Sequence, residues 1–178
     1  VGPTHISESA TLNGLHITCF SADRRIAAYA FQGLMTVVHT DDPSKRVNIP
    51  LRRPRDNSIH LSPDGHWLIT AYNNQHGWDL YDTQSGGFVR TIAENEFAGA
   101  IFHPSAGQLF TSSAVGWNAR QGPEGTVVKH ARWSGPALGV GIFGFAPDGR
   151  VALVKSSANS FQLYDLQAER DFANDGLS

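Results

Sequence analysis

Four short segments recur along this chain at almost constant spacing: Phe20-Ser-Ala-Asp23, Leu61-Ser-Pro-Asp-Gly65, Phe102-His-Pro-Ser-Ala-Gly107 and Phe145-Ala-Pro-Asp-Gly149. Their first residues lie 41, 41 and 43 positions apart. In each, an apolar residue enters a turn and an apolar strand follows a few positions later. Proline presets φ at the first central turn position, while Asp and Gly tolerate the remaining geometry. The stretches between turns are short and rich in β-branched and aromatic residues, as in Ile26-Ala-Ala-Tyr-Ala-Phe31 and Trp67-Leu-Ile-Thr-Ala-Tyr72. No segment carries a convincing amphipathic helical pattern.

A unit of this length with several short strands is the mark of a β-propeller blade. The expected fold class is therefore all-β: about four four-stranded antiparallel blades over residues 14–51, 52–95, 96–135 and 136–178, in one region spanning 1–178. Alternation such as Phe161 and Leu163 against Gln162 and Tyr164 gives a sheet two distinct faces, one toward a neighbouring sheet and one toward its other neighbour or solvent. Trp78 and Trp117 start third strands and are read as packing between sheets.

The blade-two string Leu61-Ser-Pro-Asp-Gly65, followed by Trp78-Asp-Leu-Tyr-Asp82 and Thr83-Gln-Ser-Gly86, resembles a WD40 repeat. That family ends its third strand in a Trp-Asp or Tyr-Asp pair; Tyr164-Asp165 and Tyr81-Asp82 stand at 19 and 20 positions after Phe145 and Leu61. Blade one has His39-Thr40 there and blade three Arg120-Gln121. The family's Gly-His dipeptide before the first strand is missing from every repeat. TolB-like and YVTN-like propellers share such turns and remain open alternatives.

Four blades fall short of the roughly seven of a WD40-like ring, within a propeller range of four to eight. The expectation is an arc of a larger ring, since the outer faces of its first and last sheets cannot bury themselves. A protein partner, a homo-oligomer or further blades would cover them; a closed four-blade ring is the alternative. The resemblance implies a non-catalytic interaction or scaffold module within a larger protein or assembly. The alternative is a ligand-binding or enzymatic propeller with its site in the central channel.

Chemistry-bearing motifs are scarce. A net charge of −2 gives no whole-molecule pull on nucleic acid or an acidic membrane, so neither is an expected partner. The eight histidines lack helical zinc spacing, and one cysteine, Cys19, makes no thiolate cluster. No nucleophile elbow or phosphate loop is present. Asp23, Asp64 and Asp148 read as equivalent turn residues. No catalytic residue, metal or cofactor is assigned. The N-terminus is neither a signal peptide nor an initiator Met, which suggests a start inside a longer product or after processing, and an intracellular, cytoplasmic location.

One charge cluster stands out: Lys45, Arg46, Arg52, Arg53 and Arg55, five cations in 11 residues. Its bland reading is a solvated loop paired with Asp41, Asp42 and Asp56. Its functional reading makes Arg52, Arg53 and Arg55 a contact for an acidic partner or a phosphate backbone.

Overall fold

All four recurring segments close the same turn. The backbone N–H of Ser21, Ser62, His103 and Ala146 donates to the carbonyl five residues on, at 2.8, 2.8, 2.8 and 2.7 Å. Ser21 and Ser62 are buried, and their hydroxyls accept the N–H of Ile26 and Trp67 at 3.0 and 2.9 Å. Each hydroxyl then donates to the aspartate two positions on, Asp23 or Asp64. The Oδ1 atoms of Asp23, Asp64 and Asp148 accept the N–H of Arg25, His66 and Arg150. The aspartates are thus turn locks, which accounts for their recurrence.

The computed structural model describes residues 11–12, 15–16, 19–31, 34–52, 56–72, 77–92, 99–104, 107–112, 116–122, 126–132, 142–157, 160–167 and 170–171. A short hairpin joins β1 (Thr11–Leu12) to β2 (Leu15–His16). Blade one comprises β3 (Cys19–Phe20), β4 (Ile26–Phe31), β5 (Leu34–His39) and β6 (Arg46–Pro50). Blade two comprises β7 (Asp56–Leu61), β8 (Trp67–Tyr72), β9 (Trp78–Asp82) and β10 (Phe88–Ile92). Blade three has β11 (Gly99–Phe102), β12 (Gln108–Ser112), β13 (Gly116–Gln121) and β14 (Thr126–Arg132). Blade four has β15 (Ile142–Phe145), β16 (Val151–Ser157), β17 (Ser160–Asp165) and the brief β18 (Arg170–Asp171). Every blade is a four-stranded antiparallel sheet in chain order, and the described residues include no helix.

The chain forms two compact units. One, residues 5–95, holds blades one and two; the other, residues 1–4 and 96–178, holds blades three and four. Within the first, Ala28, Met35, Val37 and Ile49 of blade one pack with Leu61, Leu68 and Tyr81 of blade two. Side chains of this size contribute roughly 1.5–3 kcal/mol each when fully buried. Half-buried Cys19 packs against that cluster as a small apolar residue. In the second unit, Ile101, Phe110, Trp117 and Ala119 pack with Phe145, Ala152 and Tyr164. Hydrogen bonds stitch each seam: the Ala22 N–H donates to the Pro63 carbonyl at 2.8 Å, and the Ile142 N–H donates to the Ser112 side-chain hydroxyl at 3.2 Å.

Two turn glycines sit inside these seams. Gly65 and Gly149 have φ of +76° and +73°, a region that L side chains avoid. A Cβ on Gly65 would lie 2.5 Å from Ile26 Cδ1 of blade one, and a Cβ on Gly149 would overlap the His103 ring of blade three. Gly122 shares the conformation, at +59°, but faces open space. Gly122→Ala should therefore cost only the backbone penalty, roughly 1–2 kcal/mol. Gly65→Ala should cost at least about 1 kcal/mol more, because overpacking adds to it. Equal losses in urea midpoints would show that the seam does not depend on the missing Cβ.

The turn also carries a pH dependence. The Ser21 hydroxyl, followed by the Arg25 N–H, holds the Asp23 carboxyl below its ordinary value of 3.8, against a smaller opposing effect of burial. A depressed carboxyl stabilises the fold above the unfolded value, and this contribution disappears as pH falls through the folded value. Ser21→Ala should raise the Asp23 value toward 3.8 in a carboxyl NMR titration. An unchanged titration would remove the hydroxyl as its main cause.

Candidate functional site

The basic cluster is only partly a free surface. Arg53 and Arg55 lie outside the described residues. Lys45 forms a 3.5 Å ion pair with Asp42, whose carboxyl is held below its ordinary value first by the Ser44 hydroxyl. Arg52, just after β6, reaches across the seam to blade two. Its backbone N–H donates to the Tyr81 hydroxyl at 3.1 Å, and its guanidinium lies 4.2 Å from the centre of the Phe88 ring.

Arg52 Nη1 also donates to Thr91 Oγ1 at 3.4 Å, and Thr91 donates to Asp79 Oδ1 at 2.6 Å. Asp79 is a buried carboxylate on β9. Through Thr91 the exposed guanidinium at blade one's exit is therefore tied to the buried Asp79 side chain of blade two. Sequence inspection misses this link because Asp79 looks like one more polar residue in an alternating strand. Arg52→Ala should lower unfolding stability by about 0.5–1 kcal/mol through loss of the ring contact. Arg52→Lys should recover little of it, lacking the planar group. A silent Arg52→Ala in urea unfolding would contradict this strapping role.

The second candidate lies along the seam between blades three and four. His103, Phe110 and Trp117 form a stacked column, with ring centres 5.5 and 5.3 Å apart and interplanar angles of 27° and 28°. The column crosses the blade from its first turn to its third strand. Lys129, on β14, continues it, with Nζ 5.3 Å from the Trp117 ring centre and donating to Leu166 O at 3.3 Å. Facing the column are Asp148, Gly149, Arg150, Leu166 and Gln167 of blade four, and a cleft of about 550 Å³ lies between.

Two blade-four contacts shape that facing wall. His103 Nε2 lies 3.0 Å from Gly149 O, so a residue that merely replaces the turn serine in sequence joins two blades in space. The Arg150 guanidinium reaches the buried Asp165 carboxylate through Nη2 and Nε at 2.7 and 3.1 Å. That carboxylate raises the Arg150 value further above its already high one. Asp165 Oδ1 also accepts the Gln167 N–H at 2.9 Å, just as its counterpart Asp82 caps the β9–β10 turn by accepting the N–H of Gln84 and Ser85. The cleft's size suits a small molecule, and its walls combine aromatic surface with a few polar groups.

Other titratable residues play structural parts. His66 Nδ1 lies 3.1 Å from the Gln84 amide, and His60 packs on Trp78. Among the described residues, no group of three or more His, Cys, Asp or Glu could hold a metal ion. No helix among them is long and apolar enough to cross a membrane.

A third feature is the face of blade four turned away from blade three. Seven residues after the turn's first residue stand Ala28, Phe110 and Leu153, paired across their sheets with Val37, Ala119 and Leu163. Two residues further, Ala30, Ser112 and Lys155 pair with Met35, Trp117 and Phe161. Val37 and Met35 are 5% and 0% exposed, and Ala119 and Trp117 2% and 1%. Their blade-four counterparts Leu163 and Phe161 are 51% and 53% exposed, and Leu153 is 39% exposed. The corresponding Ile69, Leu80 and Trp78 of blade two are buried as well.

No family model matches the chain, and no curated protein does. Solved structures do. One is dihydro-heme d1 dehydrogenase NirN in complex with DHE, with 18% identity and a TM-score of 0.65 over 86% of this chain. Another is Kuenenia stuttgartiensis hydrazine synthase, with 16% identity and a TM-score of 0.61 over 94% of this chain. Both are β-propeller proteins, and the four blades share their fold. The chain spans 35% and 51% of those two chains.

Proposed function

We propose that this chain is an interaction module, a WD40-like run of propeller blades that works by docking rather than by chemistry of its own. The observation that carries the reading is the exposed apolar face of Leu153, Phe161 and Leu163, at positions that three other blades bury. A contiguous apolar sheet face is a place where another surface is meant to sit.

A second reading is favoured by the cleft along the seam of blades three and four and by the names of the two similar structures. These are a dehydrogenase bound to DHE and a synthase. On that reading the blades hold a small molecule, and the aromatic column is one wall of its site. Likeness of fold does not carry activity with it. The two readings separate by where a substitution acts: on the outer face of blade four or within the cleft.

The interaction reading makes a paired prediction about equivalent positions. Val37→Asp places an unpaired charge in a sealed seam and should cost more than about 4 kcal/mol, enough to unfold the first unit. Leu163→Asp, on the open face, should cost less than about 1 kcal/mol and lower binding of a dye that reports apolar surface. Comparable losses in the two variants, measured by urea unfolding, would mean that the blade-four face is not open.

A further inference from the structure

The seam of blades one and two and the seam of blades three and four share one register, which lets their residues be matched position by position. Blade one pairs Ala28 with Val37 and Val37 with Val47; blade three pairs Phe110 with Ala119 and Ala119 with Lys129. Ile26 and Gln108 stand two residues before Ala28 and Phe110. On the facing blades, His66 and Arg150 each follow the turn glycine.

In the first seam these positions are closed by apolar contact. Ile26 and Val47 pack against the core cluster, and the β9–β10 turn lies so near that a Cβ on Gly86 would be 2.9 Å from Val47 Cγ1. In the second seam the same positions border the cleft of about 550 Å³. There Gln108 stands for Ile26, Ala119 for Val37, Lys129 for Val47 and Arg150 for His66. The backbone differs as well. β14 carries a bulge at Val128 that β6 lacks, so the consecutive Val128 and Lys129 both border the cleft instead of alternating. The residues that do not change, Asp148 and Gly149, belong to the turn. Divergence is thus concentrated at one end of one seam, and it exchanges apolar burial for open volume, an amide and cations.

Building on the small-molecule reading of this cleft, we infer that its ligand is a small organic anion, a flat apolar body carrying one carboxylate, sulfonate or phosphate group. The anionic group meets Lys129 and Arg150, which converge on one segment of blade four. Lys129 Nζ donates to Leu166 O at 3.3 Å, and Arg150 holds the adjacent Asp165 through Nε and Nη2. Asp165 therefore occupies one edge of the guanidinium and leaves Nη1 for a ligand, on a side chain 56% exposed. Asp148 also borders the cleft, but its Oδ1 is engaged by the Arg150 backbone N–H. The apolar body has Phe110, Trp117 and Val128 to lie against. Hydrogen bonds from cations to an anion are stronger than neutral ones, so charge sets the preference within this class.

The test titrates the full chain by calorimetry with 2-naphthoate, its neutral analogue 2-naphthamide, and inorganic phosphate. One 2-naphthoate should bind per chain, and the other two probes at least about tenfold more weakly. Lys129→Met should weaken 2-naphthoate about tenfold and leave 2-naphthamide unchanged. Arg150→Lys, which keeps a cation for Asp165 but removes Nη1, should also weaken 2-naphthoate. Ala119→Val combined with Lys129→Val installs the residues of the closed seam and should abolish binding of every probe, with urea unfolding to verify that the variant is folded. Leu163→Asp, on the opposite face of blade four, should leave binding unchanged. Equal binding of 2-naphthoate and 2-naphthamide, insensitive to Lys129→Met, would overturn the anion requirement and leave the small-molecule reading intact. Phosphate binding as tightly as 2-naphthoate would overturn the apolar body. If no probe binds, or if binding survives the paired valine substitutions, the small-molecule reading of the cleft fails together with the inference.

Discussion

A four-stranded blade has two faces and too little thickness to bury either alone, so face-to-face stacking is the constraint on which this structure depends. Everything else serves that stacking. The strands are short because a blade needs only enough length to fill one seam. Their apolar residues alternate because each face must meet a different neighbour. In both seams within the compact units the trailing face supplies the partner pairs Ala28–Val37 or Phe110–Ala119, and the arriving face supplies a tyrosine. The same arrangement therefore recurs in both seams.

The turns set the spacing that makes stacking possible. A buried serine hydroxyl accepts one backbone N–H and donates to an aspartate, which accepts another, so the turn's backbone polar groups are satisfied from within. That leaves the left-handed glycine free to slide under the preceding blade. Where the pattern degrades, other groups substitute. His103 replaces the serine and spans the seam to Gly149 O, and its ring extends an aromatic column across blade three. Arg24 replaces the glycine on blade one.

Much of this was legible in the sequence, and the reasons are local. Four turns, the strands between them and the roles of Asp23, Asp64 and Asp148 follow from residues within a few positions of one another. So does the placement of Tyr81 and Tyr164 in seams, since each precedes an aspartate at the end of a third strand, 20 and 19 positions after Leu61 and Phe145. The functional surfaces were less legible because they depend on register and on what stands opposite. Phe161 and Leu163 read as core in any one-dimensional scan, yet each is more than half exposed. Arg52 reads as a member of a basic patch, but the packing of blade one's exit against blade two sets it over Phe88 and within reach of Thr91. Lys129 carried no signal at all, since only the pairing of β13 with β14 brings it over Trp117.

The central claim is that one set of equivalent positions is sealed in three blades and open in the fourth. Cysteine accessibility tests it most directly, in a Cys19→Ala background with single substitutions Val37→Cys, Leu80→Cys, Ala119→Cys and Leu163→Cys. The account predicts that Leu163→Cys reacts with a thiol reagent at close to the rate of an unprotected cysteine, while the other three are strongly protected under native conditions. Protection of Leu163→Cys to the same degree as the others would contradict it.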